Sequence, residues 1–191
     1  MIGPSLHERA RHYARPARSI SRLAGATPLL ALAAAFGPLA QGAARSKPMD
    51  LARQTRTVKA CYTQSRGFRY QNDDTAPLRS AFAPDYWQLP SQTERTGCGD
   101  CEDLSIWLYA KLLERGVPNV RLFIGKHVAT DRCLHAWVMW FPGDKAYILD
   151  PTSSIGIFQA RHYRAGDYQP YYSFYRGQRW YHYPTAPGSR F

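Results

Sequence analysis

Gly99-Asp100-Cys101-Glu102-Asp103-Leu104-Ser105-Ile106-Trp107-Leu108-Tyr109-Ala110-Lys111-Leu112-Leu113-Glu114-Arg115-Gly116-Val117-Pro118 is the stretch on which the reading of this chain turns. Leu104, Trp107, Leu108 and Leu112 recur at the spacing of a buried helical face. Asp100 stands where an N-cap belongs, Asp103 resembles the second half of a capping box, and Gly116 with Pro118 ends the run. Cys101 therefore falls in the first turn, where unpaired backbone N–H groups and the helix dipole favour negative charge. The thiolate is the nucleophilic form of cysteine, so a reactive thiol is favoured there. Such a thiol still needs a base, and the base needs a group to orient it.

Both candidates lie downstream. Residues 120–124, 134–141 and 146–149 are rich in Val, Ile, Trp and Phe and read as strands, with Pro142-Gly143-Asp144-Lys145 as the turn between the last two. If that turn closes between Phe141 and Ala146, Asp150 falls opposite Trp137, and His135 projects from the same face as Trp137. The diagonal from His135 to Asp150 is then about 7–8 Å between backbones, which two side chains can span. A slip of one residue would send Asp150 to the other face. Helix followed by antiparallel strands predicts an α+β domain with the sheet packed on the helix.

Upstream, residues 49–65 mix polar and apolar positions at helical spacing, with Leu51, Val58 and Cys61 as inward positions and Gly67 as the stop. Residues 67–99 show no sustained periodicity and read as a long irregular segment of the kind that is usually functional. Past Asp150-Pro151-Thr152 the chain is rich in Tyr up to Tyr183, which is expected to cover the core and form a sheet edge rather than stack on ligands.

Several blocks together resemble the transglutaminase-like superfamily: Gly99-Asp100-Cys101-Glu102-Asp103 opening a helix, Gly116-Val117-Pro118, His135-Ala136-Trp137, and Leu149-Asp150-Pro151-Thr152. Trp87 and Pro90 upstream, and Tyr168-Gln169-Pro170-Tyr171-Tyr172-Ser173 with Trp180 downstream, are similar to the bacterial transglutaminase-like cysteine proteinases. The resemblance implies a papain/transglutaminase-like fold, with Cys101 as nucleophile, His135 as base and Asp150 as its orienting acid. It implies an oxyanion hole built partly on a backbone N–H near Cys101, the second donor being left open between Gln88 and Gln92. It also implies a periplasmic enzyme acting on protein substrates at the cell surface, and a calcium ion held with the help of Asp100, Glu102 and Asp103. On their own those three carboxylates are equally suited to capping and solvation.

Two other readings use the same residues. Cys98, Cys101, Cys133 and His135 are soft ligands suited in type to a structural zinc, although the second pair is tightly spaced and Asp150 has no role in it. A non-catalytic cell-envelope interaction domain that kept the fold is the other. Cys61, Cys98 and Cys133 leave their disulfide pairing open.

The 191 residues suit one domain with a sizeable core, and 45% hydrophobic with 20% charged residues is ordinary for a globular chain. Residues 1–44 read as a signal peptide or membrane anchor: five arginines, then an uncharged stretch centred on Leu29-Leu30-Ala31-Leu32-Ala33-Ala34-Ala35-Phe36, then small residues at Ala40, Gly42, Ala43 and Ala44. As an uncleaved anchor the stretch approaches the ~20 residues that span a bilayer. Residues 45–191 form the expected catalytic domain, placed outside the cytoplasm. Those leader arginines, offset by Glu8, carry about +4 of the +11 net charge. With no dense basic run beyond the leader, no nucleic-acid partner is expected.

Overall fold

The computed structural model describes residues 48–73, 86–127, 134–162 and 167–182. The leader expected over residues 1–44 lies outside them, as does Cys133.

Asp50 caps the first helix, α1 (Leu51–Ser65), by accepting the Arg53 N–H at 2.8 Å. Val58 and Cys61 turn inward as their spacing predicts, joined by Tyr62 and Ser65. Leu51 does not: it is 59% exposed, because it sits at the first helical position, ahead of the turn that meets the core.

The segment read as irregular contains structure of its own. Strand β1 (Arg69–Tyr70) pairs in parallel with β2 (Cys98–Gly99), and a short helix, α2 (Pro90–Thr96), lies between them. α2 starts on Pro90 and stops on Gly97 in the left-handed conformation, the usual punctuation of a helix, but its seven residues are too few for periodicity to reveal.

Helix α3 (Cys101–Glu114) begins where the sequence places it, and Asp103 accepts the Asp100 backbone N–H at 3.4 Å. Leu104, Trp107, Leu108 and Leu112 are buried as expected, and so are Ile106, Tyr109 and Ala110. The helix is enclosed on most sides because α1, α2 and the sheet all pack against it.

The sheet is six-stranded, in the order β6-β5-β4-β3-β7-β8, from β3 (Val120–His127), β4 (His135–Trp140), β5 (Tyr147–Leu149), β6 (Phe158–Gln159), β7 (Tyr168–Tyr175) and β8 (Gln178–Tyr181). Every pairing in it is antiparallel. Val138 faces Leu149, Met139 faces Ile148 and Trp140 faces Tyr147, so the register anticipated from the turn is the register formed. One face of the sheet, with Leu122, Ile124, Ala136, Val138 and Phe174, joins the helices in the main core. The other carries Phe123, Trp137, Met139, Ile148 and Tyr168. The Tyr-rich tail supplies the edge strand β8 and the buried residues Tyr168 and Phe174. The architecture is α+β, as expected.

Candidate active site

Cys101 is the first residue of α3, and three features fix its position. Gly99 approaches the helix so closely that a Cβ there would lie 2.5 Å from Cβ of Asp103, so only glycine lets β2 run into this turn. The Ser105 hydroxyl, one turn into α3, donates to the Ala136 carbonyl at 2.9 Å. The backbone N–H of Ala136 in turn favours the negative form of the Cys101 thiol. Ala136 is thus tied to the first turns of α3, and its neighbour in the chain is His135.

His135 opens β4 and is 4% exposed; Asp150 follows β5 and is 1% exposed. Nε2 of His135 and Oδ2 of Asp150 are 2.7 Å apart. The other carboxylate oxygen accepts the Thr152 backbone N–H at 2.9 Å and its hydroxyl at 2.8 Å. Tyr168 donates its hydroxyl to Oδ2 at 2.7 Å, and Tyr62 of α1 donates to the Asp150 carbonyl at 2.9 Å. Burial alone would push the Asp150 carboxyl up, but the bond and charge of His135, then Tyr168 and Thr152, hold it below the ordinary aspartate value. With Nε2 committed to Asp150, Nδ1 is the ring nitrogen left to exchange a proton. Rings enclose the imidazole: Trp137 stacks at 6.1 Å between centroids, His127 lies at 5.3 Å and Tyr168 at 6.2 Å.

The carboxylates beside Cys101 separate into two groups. Asp103 accepts the Gln88 backbone N–H and its side-chain amide, each at 2.7 Å, and so braces the loop before α2. Burial lifts its carboxyl to about 7. Asp100 and Glu102 instead converge with Asp73, with one carboxylate oxygen from each within 4.8 Å of the others. Of the expected carboxylates Asp100, Glu102 and Asp103, the first two lie in this cluster with Asp73, while Asp103 bonds Gln88. Periodicity could not find Asp73, which lies 27 positions before Asp100 and is brought in by the parallel β1–β2 pair. Burial and then Asp100 hold the Glu102 carboxyl well above its ordinary range. Crowded, dehydrated, all-oxygen donors of this kind suit a hard divalent cation such as calcium.

The two candidates for the second oxyanion donor are engaged to different extents, both amide hydrogens of Gln88 and one of Gln92 being used. The Gln88 amide donates to Asp103 and to the Cys98 carbonyl, and the Gln92 amide donates to the Tyr86 hydroxyl at 2.7 Å. Cys61, Cys98 and Cys101 are free thiols.

Comparison with family models finds no match, and comparison with curated proteins finds none. Solved structures do match. Legionella pneumophila LapG aligns with a TM-score of 0.56 at 22% identity, over 87% of this chain and 90% of that one. Its calcium-bound form aligns at 21% identity over 95% and 90%, and its EGTA-treated form at 22% over 87% and 87%, each with a TM-score of 0.56. This chain shares the fold of LapG. In this fold, α3 and the β4–β5 hairpin are the elements that carry Cys101, His135 and Asp150.

Proposed function

We propose that this chain is an exported cysteine peptidase in which Cys101 attacks, His135 moves the proton and Asp150 orients His135. The observation that carries the proposal is the buried His135–Asp150 pair at 2.7 Å, on a strand whose next residue, Ala136, is bonded by Ser105 of the helix that Cys101 begins. Nδ1 of His135 takes the thiol proton as sulfur adds to the scissile carbonyl, and returns it to the departing amine as the thioester forms. Water then attacks the thioester with His135 again as base, releasing the acid and restoring the thiol. Backbone N–H groups at the start of α3 are the donors for the developing oxyanion. Proteins or peptides of the cell envelope are the proposed substrates.

Calcium belongs to the same proposal. Asp73, Asp100 and Glu102 are the residues that would hold it, and LapG has been solved both calcium-bound and EGTA-treated. Burial, then Glu102, push the Cys101 thiol above its ordinary value. A bound divalent cation supplies positive charge against the carboxylates that oppose thiolate formation.

The test is a thiol-directed probe applied to the purified protein, followed by identification of the labelled peptide. Labelling at Cys101, lost on His135→Ala, supports the reading. Labelling confined to Cys98 or Cys133 overturns it.

A further inference from the structure

We infer that Tyr168 is a positioning residue for the proposed reaction: by sharing Oδ2 of Asp150 with His135, it limits how tightly Asp150 holds the imidazole proton. The inference rests on the catalytic reading of His135 and Asp150 and goes beyond it. Oδ2 accepts from His135 Nε2 and from the Tyr168 hydroxyl, each at 2.7 Å, while Oδ1 is saturated by Thr152. Thr152 already fixes the direction of the carboxylate. What the phenol adds is a donor on the oxygen that serves the histidine, and each charge-assisted bond to one oxygen weakens the other.

The fold goes to some length to place this hydroxyl. Tyr172 pairs with Ile124 and packs with the main core, whereas Tyr168 pairs with His127 and belongs to the opposite face. Residues four apart on a regular strand share a face. A register shift between Ile124 and Gly125 inserts one extra residue into β7 and reverses the alternation, turning Tyr168 toward His135 and Asp150. Gly125 allows it, since a Cβ there would stand 2.0 Å from the Gln169 carbonyl oxygen. Tyr168 is 4% exposed, and its ring is fixed by Trp137 at 5.0 Å and His127 at 4.3 Å, so the hydroxyl has little freedom to turn elsewhere.

An acid that grips the imidazolium too strongly makes His135 a poor proton donor to a leaving amine. Amide cleavage needs that proton more than ester cleavage does, so the two substrates separate Tyr168's role from simple packing.

The experiment compares the full chain with Tyr168→Phe, and with 3-fluorotyrosine placed at 168, by the NMR resonance of the His135 Nε2-bound proton and by amide and ester turnover. The resonance is assigned by its loss in His135→Ala. Tyr168→Phe should move it downfield and lower the amide-to-ester rate ratio several-fold. The fluorinated phenol, a stronger donor, should move it upfield. An unmoved resonance in both proteins, even with reduced stability or turnover, overturns the inference and leaves Tyr168 a packing residue. Failure of the catalytic reading looks different: the wild-type Cys101 would take no thiol-directed probe, while the resonance would still respond to position 168.

Discussion

The Cys101 thiol lies 3.1 Å from Oε2 of Glu102, its neighbour in the chain and one of three carboxylates gathered at that helix end. The group proposed to attack is therefore held beside an acid, and helix dipole and acidic cluster act on it in opposite directions.

The triad is tested by substitution. Cys101→Ala should abolish turnover and covalent labelling. His135→Ala should cost about 10²–10⁴-fold in rate, the usual contribution of a positioned general base. Asp150→Asn should fold and turn over slowly, because an amide can hold the ring but cannot stabilise its charged form. Full activity in His135→Ala would refute the assignment.

Cation binding is read from thermal melting. Calcium should raise the melting temperature of the wild type, and Asp100→Asn or Asp73→Asn should largely remove that rise. Glu102 stays protonated in the folded chain at pH values where the unfolded chain has released its proton, so unfolding releases a proton between the two. Stability from this group is greatest below the unfolded value and is lost as pH rises toward the folded one. Glu102→Gln should thus gain on the wild type as pH rises from 5 to 8 in EGTA. Equal slopes would show that the cluster is not strained.

The bulge is tested at Gly125. Gly125→Ala forces a methyl onto the Gln169 carbonyl, and should destabilise the domain by roughly 1–3 kcal/mol, as overpacking does. Denaturant unfolding measures the loss. A neutral substitution would mean that β7 shifts freely there.

His182 should give an acid-side slope of opposite sign. Burial, then Arg121, lower it to about 4, and it bonds the buried Ser173 hydroxyl at 2.8 Å. The unfolded chain takes up this proton near 6.5. Stability is therefore present above that value and lost as pH falls toward 4, by roughly 1–3 kcal/mol. His182→Gln should flatten the curve over that interval.

Export is tested independently of chemistry. A reporter fused after Ser46 should be found outside the cytoplasm, and a purely cytoplasmic reporter would defeat the reading of residues 1–44.

What the sequence discloses here follows the range of each interaction. The start of α3, the β4–β5 register and the shared face of His135 and Asp150 are local, set by a cap, a turn and an alternation, and each was readable. Tyr62 reaches Asp150 from 88 residues away, and Asp73 joins the acidic cluster through a two-residue parallel pair, so neither left a periodic trace. Tyr168 was visible as part of an aromatic tail, but a bulge decides which face it serves, and composition cannot show a bulge. Asp103 shows a third limit: its spacing suits a cap and a ligand equally, and its bonds to Gln88 depend on a loop that no periodicity marks.

The place of β7 in the sheet bears on when this site can exist. β3, β4 and β5 are joined by short connections and can pair as soon as they are made, whereas β7 must return past them to reach the far side of β3. A chain emerging from synthesis holds Cys101, His135 and Asp150 well before Tyr168 docks. The hydroxyl on Asp150 thus arrives with the last fifth of the polypeptide, so a chain that ends between Asp150 and Tyr168 carries Cys101, His135 and Asp150 without the phenol that bonds Asp150.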